Sequence, residues 1–454
     1  MLRGPLLSKM LLFAVPLIAS GLLQQSFNAV DVAVVGRFAG SHALAAVGAN
    51  GPVLGLIVNL FLGISVGINV VIANYIGNKN AKGVRASVAA SAVLSIICSI
   101  ILLVAGQLVA RPLLELLATP QEIMDEALEY LRILVGGMPF LIIFNFGAAI
   151  LRSIGDTKRP FFALIAAGIV NVALNLFFVI ILGMGVAGVA WGTVISTAVN
   201  AAIIVAILVR EKSDIKLDFS NLRTGFSEIG KICRVGLPAG LQSTIFAFSN
   251  VFVLSAINTF GSFAVAGSAT AINYEFYCYF VINAIGQTAV AFASQNYGAG
   301  QYDRVKRIFR LSILLSVGLS AFLNILIAWQ GEFFLSAFTQ DPQVLVYALQ
   351  RIHYVLLFQW IACYYEMAGQ IMRALGRSMT PALITIFGTC VVRLIWVAYF
   401  PANAPFYRLM TVYPVTWTLT SILMAVAFSA LSRRMLNEKS VENTTKIGYI
   451  EENA

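Results

Sequence analysis

Long uncharged runs recur along this chain, with short charged stretches between them. They fall at 11–35, 46–74, 87–108, 131–151, 161–182, 187–209, 235–258, 264–294, 311–330, 352–372, 379–400 and 411–431. About 20 apolar residues in a helix rising 1.5 Å per residue cross a hydrocarbon core about 30 Å thick. Each run therefore predicts one transmembrane helix, twelve in all. Two charge-free stretches are longer than one span, 161–209 and 235–274. Turns divide them at Gly183-Met184-Gly185 and at Asn258-Thr259-Phe260-Gly261.

The polar positions orient this pattern and divide it. With both termini cytoplasmic, 24 Lys and Arg fall on that side and five on the other, with Arg393 inside a span. That asymmetry sets topology in membrane proteins. The acidic stretch from Glu115 to Glu129 then lies outside and is expected to form an amphipathic interfacial helix. The longest polar connection, 211–234, falls halfway and reads as a cytoplasmic linker. It separates an N-terminal six-helix lobe (1–210) from a C-terminal one (235–435), followed by a cytoplasmic tail (436–454).

The lobes repeat one another. A shift of 221 residues sets ANYIGNKNAKGVR (73–85) on SQNYGAGQYDRVK (294–306) and LRSIGDTKRP (151–160) on MRALGRSMTP (372–381). It also sets Gly40 on Gly261, and Pro16 meets Pro238 one residue further along. One shift holding across three loops points to a duplication. Six spans per unit is an even number, so both units enter the membrane in the same direction. The predicted fold is an all-α polytopic membrane protein, two six-helix bundles related by a parallel pseudo-twofold repeat around a central cleft. Small-residue spacings at Gly51/Gly55, Gly63/Gly67 and Gly236/Gly240 predict close helix contacts.

Composition agrees with this picture. Of 454 residues 59% are hydrophobic and 11% charged, against about 25% charged in soluble domains. The net charge of +10 sits in loops between spans, which argues for membrane topology and against nucleic acid as partner. Five widely spaced cysteines offer neither a metal spacing nor an evident disulfide. No cleavage site follows a short apolar core, so the first span reads as retained. The chain lacks GxxxxGK[ST], HExxH and GxSxG. No enzyme activity and no cofactor are expected.

Three acids lie within spans: Asp31, Glu275 and Glu366. An ionised Asp at the centre of a spanning helix costs about 2.5–3.5 kcal/mol, so such a group is seldom incidental. Gln24, Asn28 and Asp31 fall at i, i+4 and i+7, one stripe of the first helix. Structurally, that stripe could pack polar to polar; functionally, it could hold an ion or a proton. Asn171 and Asn175 on the fifth span and Thr193 on the sixth offer further oxygens. That set suits a hard cation such as Na⁺, and a desolvated carboxylate could equally carry H⁺. In the other lobe, Glu275 and Glu366 stand among aromatic residues, which include Tyr274, Tyr277 and Trp360. Acids beside aromatic faces suit lipophilic organic cations, while tyrosines and tryptophans also gather at bilayer interfaces. A pairing of Glu366 with Arg393 is the structural alternative.

Several stretches together resemble one family. They are Pro16 with Asp31-Val-Ala-Val-Val-Gly36, NFGAAILRSIGDTKRP (145–160), NVALNLFF (171–178), Pro238, ASQNYGAGQYDR (293–304) and YYEMAGQIMRALGRSMTP (364–381). Over residues 5–435 the chain resembles the multidrug and toxic compound extrusion (MATE) transporters of prokaryotes, and their DinF-like branch more than the NorM-like one. The resemblance implies an antiporter that expels drug-like, mainly cationic small molecules in exchange for H⁺ or Na⁺. It would act as a monomer in the lipid bilayer of the cytoplasmic membrane. It further implies a coupling site at Asp31, Asn171, Asn175 and Thr193, with Asn28 nearby. Asn175 is a departure, since that branch often has Asp there. NorM-like members have a Glu on span seven and an Asp on span ten, where this chain has Gln242 and Ala362. Candidates for the substrate cleft are Gln24, Gln242, Tyr274, Glu275, Tyr277, Trp360 and Glu366. A lipid-linked saccharide flippase of the same superfamily is the alternative; twelve spans and three intramembrane acids argue against it.

Overall fold

The computed structural model describes residues 1–451 other than 117, 118, 337 and 402, with side chains undescribed for Ser41, Pro52 and 434–451. Among the described residues, twelve helices are long and apolar enough to cross a membrane. In chain order they are α1 Leu6–Phe38, α2 Gly40–Gly77, α3 Ala81–Leu116, α4 Gln121–Ser153, α5 Lys158–Ile181 and α6 Gly185–Arg210. The second six are α7 Phe226–Asn258, α8 Ser262–Gly298, α9 Tyr302–Trp329, α10 Pro342–Ala374, α11 Met379–Ala398 and α12 Phe406–Arg433. The helical backbone of α12 continues to Glu451. Of the tail expected at 436–454, residues 452–454 lie outside the described residues.

Both expected hairpin turns are present. Gly183 and Gly185 carry positive φ between α5 and α6, and Gly261 does so between α7 and α8. Gly261 and its repeat partner Gly40 share a φ of 91°, a left-handed conformation that favours glycine.

Three expectations are corrected. The helices outrun the uncharged runs, because a charged side chain near a helix end reaches the interface without ending the helix. The linker is therefore shorter than 211–234: Asp218 caps a 3₁₀ turn, Phe219–Gly225, and α7 begins at Phe226. The acidic stretch forms no separate helix, since Glu115 belongs to α3 and Glu122 to Glu129 belong to α4. Among the paired glycines, Gly63 and Gly240 meet, as do Gly67 and Ile232, whereas a Cβ on Gly51 would find open space.

Packing shows the duplication directly. A Cβ on Gly77 would lie 2.1 Å from the carbonyl oxygen of Gln295, and one on Gly298 would lie 2.1 Å from that of Asn74. Asn74 with Gln295 and Gly77 with Gly298 are the pairs that the repeat aligns, so α2 and α8 cross about a local twofold. Other contacts between the halves gather at the same end of the bundle. Gln295 Nε2 donates to Ser153 O at 2.6 Å, and Arg304 Nη2 donates to Gly4 O at 3.0 Å. The Phe13 and Phe292 rings meet edge to face at 5.6 Å. Farther along α1, Gln24 and Asn28 are exposed.

Candidate functional site

In the N-terminal half, α1, α5 and α6 converge on Asp31, which is 8% exposed. Asn175 Nδ2 donates to Asp31 Oδ1, and Thr193 Oγ1 approaches Asp31 Oδ2 at 3.4 Å. Asn175 Nδ2 also faces Asn171 Oδ1 at 3.4 Å, and Asn171 Nδ2 faces Thr193 Oγ1 at 3.5 Å. The last three contacts are long for hydrogen bonds. They join four side chains from three helices into one ring. Asn171 and Asn175 share a face of α5 because they stand one helical turn apart. Gly192 makes room for them: a Cβ there would sit 2.1 Å from Asn175 Oδ1. That oxygen is buried with no donor. Among the described residues the cluster thus holds one carboxylate, an amide oxygen with no donor and a hydroxyl, with no basic side chain bonded to the acid. A buried anion with surplus acceptors can hold a proton or a small hard cation. Tyr130 on α4, which sequence reasoning missed, is buried in the same apolar cluster as Val34 and Val35 of α1. Asn28 is exposed and makes no hydrogen bond to Asp31 among the described residues.

In the C-terminal half, the candidate acids separate. Glu275 accepts from Arg351 Nε at 2.6 Å and from Nη2 at 3.0 Å. Both side chains are inside the protein, 13% and 3% exposed. Arg351, one residue before the uncharged run 352–372, belongs to α10 and stacks on Tyr413, its guanidinium 5.3 Å from the ring centre. Such a bidentate pair occupies the carboxylate, which leaves Glu275 little capacity for a ligand. Tyr274 is also occupied: its hydroxyl donates to Phe334 O at 2.6 Å and its ring packs on Tyr277, Phe334 and Phe338. Trp360 lies in the 3₁₀ turn Leu356–Ile361 that interrupts α10, 39% exposed, and Gln24 is exposed on α1.

Glu366 does not pair with Arg393. Arg393 Nη1 donates to Asn250 Oδ1 at 2.7 Å and Nε to Thr416 Oγ1 at 3.4 Å, and its guanidinium lies between the Phe246 and Tyr413 rings. Arg373 lies seven residues along from Glu366 on the same helix. Arg373 Nη2 donates to Gln242 Oε1 at 2.6 Å. Glu366, Gln370 and Arg373 stand at i, i+4 and i+7, the same spacing as Gln24, Asn28 and Asp31. The sequence carries that spacing, although the uncharged run 352–372 stops one residue short of Arg373.

The model of one family, MatE, matches the chain twice, over residues 16–177 and 238–399. The two stretches open on Pro16 and Pro238, the prolines that the internal repeat pairs. The chain belongs to the MatE family. As a MatE protein it is a multi-pass membrane transporter of the multidrug and toxic compound extrusion type, and not an enzyme. Similar proteins include the probable multidrug resistance protein YoeA of Bacillus subtilis (strain 168), 29% identical over 388 residues, with 83% of each chain covered. Another is the probable multidrug resistance protein YpnP of the same organism, 26% identical, with 88% of this chain and 89% of that one covered. The fold is shared with an outward-facing multidrug resistance MATE family transporter of the MOP superfamily. The TM-score there is 0.87 at 22% identity, over 96% of this chain and 98% of that one.

Proposed function

We propose that this MatE protein exports drug-like, mainly cationic organic compounds in exchange for an inward-moving cation, bound at Asp31 with Asn171, Asn175 and Thr193. The observation that carries this reading is the Asp31 carboxylate itself. It is buried in a spanning helix, is held by an amide and a hydroxyl, and has no basic side chain bonded to it. An acid kept inside a membrane in that condition is best explained by a cation that comes and goes. The names of the YoeA and YpnP relatives support drugs as the class of cargo.

Of the two coupling ions, H⁺ is the better fit. Asn175 stands where a second acid would strengthen a Na⁺ site, and a single carboxylate with neutral oxygens binds Na⁺ weakly. Transport would proceed by alternating access, with lobes 1–210 and 235–435 rocking about their clasped end. The protein would work as a monomer in the cytoplasmic membrane of a prokaryote, with both termini inside. Everted membrane vesicles given a pH gradient or a Na⁺ gradient separately test this reading. Dye accumulation driven by the pH gradient is expected; accumulation under neither gradient overturns the antiport.

A further inference from the structure

A cleft of about 300 Å³ opens on the outside of the bundle between α1, α8 and α9. Ala14 and Ile18 of α1, Ile285 and Thr288 of α8, and Leu315 and Leu319 of α9 line it. Val15 and Leu319 at its rim are 60% and 38% exposed, so the cleft faces the bilayer. Thr288 is the polar residue among its walls, and its hydroxyl is turned back to Ala284 O at 2.8 Å. Drug pockets hold a few placed polar groups. This cleft offers only hydrocarbon.

The duplication predicts a second such cleft where α7 meets α2, and there it is closed. A Cβ on Gly67 would lie 2.3 Å from Ile232 O, and one on Gly236 would lie 2.6 Å from Ile64 Cα. The repeat sets Gly67 on Thr288, Ile64 on Ile285, and Gly236 and Gly240 on Ala14 and Ile18. Glycines let α2 and α7 touch backbone to backbone, whereas their larger counterparts hold α1 away from α8. The cleft therefore belongs to one half of the repeat.

Two cations stand at its mouth, at the clasped end of the bundle. Lys9 directly precedes the lining residue Met10 on α1. Arg304 stands eleven residues before Leu315, about 16 Å along α9, and one leaflet of hydrocarbon is about 15 Å deep. The two meet at Gly4: Lys9 Nζ lies 3.0 Å from where its Cβ would be, and Arg304 Nη2 donates to its carbonyl at 3.0 Å. Their other acceptors are also neutral carbonyls, Arg3 O for Lys9 at 2.7 Å and Met1 O for Arg304 at 3.3 Å. Arg304 Nε is buried with no acceptor. Neutral carbonyls leave both charges available to an anion, and Arg307, exposed one turn further along α9, adds a third.

We propose that this cleft seats one anionic phospholipid, an acyl chain lying between α1, α8 and α9 and the phosphate lying at Lys9 and Arg304. Basic residues above an apolar cleft between spanning helices match such a lipid at both ends. The helix on which the lipid leans, α1, is the one that carries Asp31. The site is independent of what the protein exports.

The test is titration of the purified full-length protein in detergent, with bound lipid counted by native mass spectrometry. Phosphatidylglycerol, phosphatidylcholine with the same acyl chains, and inorganic phosphate are the probes. Phosphatidylglycerol is expected to bind at least about tenfold more tightly than phosphatidylcholine. Lys9→Gln with Arg304→Gln should bring it down to the phosphatidylcholine level, and Val15→Trp, which fills the rim, should weaken both lipids. Equal wild-type affinity for the two lipids overturns the proposal. Displacement of phosphatidylglycerol by inorganic phosphate alone also overturns it, since that is an anion site without a seat for the chain. A photoactivatable acyl chain on phosphatidylglycerol, used with the wild-type protein in nanodiscs, keeps the test open where a variant fails to fold. Labelling concentrated on α1 and α9 around Val15 and Leu319 is expected; labelling spread evenly over the lipid-facing helices contradicts the site.

Discussion

Asn175 on α5 donates a side-chain hydrogen bond to Asp31 on α1, 144 residues away in the chain. An amide therefore stands where a second carboxylate would make the cluster doubly negative. Two carboxylates in one buried site cannot both ionise without a cation between them. Asn175→Asp is predicted to move the coupling toward Na⁺. Vesicles containing the variant should show Na⁺-driven accumulation at least about tenfold above wild type at equal gradient. An unchanged ion preference would mean that the partner of Asp31 does not set it.

The Glu275–Arg351 pair leads to a different expectation. Removing one partner of a buried ion pair strands the other charge and costs about 3–5 kcal/mol. Glu275→Gln should therefore lower stability in detergent markedly, seen as early thermal unfolding. Replacing the partner as well, in Glu275→Gln with Arg351→Met, should recover most of the loss. A stable Glu275→Gln protein with altered drug selectivity would instead return Glu275 to the substrate cleft.

Much of this architecture is written in the chain as periodicity. The twelve spans and the duplication are legible because each depends on spacing along one helix or on one repeated offset, whereas the grouping of Asp31 with Asn171, Asn175 and Thr193 is carried by the family resemblance. Partnerships across helices are not legible in that way. Arg351 looked external because the uncharged run begins one residue later, whereas the structure lets α10 start at Pro342 and brings the guanidinium inward to Glu275. Arg373, one residue past the other end of that run, likewise belongs to the helix, in its last turn. Asn28 shows the converse: it shares the stripe of Asp31, but facing depends on where α5 and α6 pack, and they cover Asp31 while Asn28 stays exposed.

The crossing of α2 and α8 makes a sharp mechanical prediction. Gly298 has Asn74 O where a Cβ would need to be, at 2.1 Å, and backbone cannot yield as a flexible side chain does. Overpacking of this kind costs about 1–3 kcal/mol. Gly298→Val should disfavour the clasped arrangement, so a cysteine pair introduced at Tyr75 and Glu228, whose side-chain tips meet at 2.8 Å, should be bridged by a bifunctional thiol reagent more slowly than in the wild-type background. Equal cross-linking rates would show that this crossing is not what closes that end.

The central claim is that the Asp31 carboxylate couples ion entry to export, and Asp31→Asn tests it most directly. Asn is nearly isosteric and keeps hydrogen-bonding capacity toward Asn175 and Thr193 while removing the charge. The variant should reach the membrane at wild-type levels and still bind substrate, but should lose gradient-driven accumulation of dye in everted vesicles under both pH and Na⁺ gradients. Accumulation at the wild-type rate in everted Asp31→Asn vesicles would contradict the account.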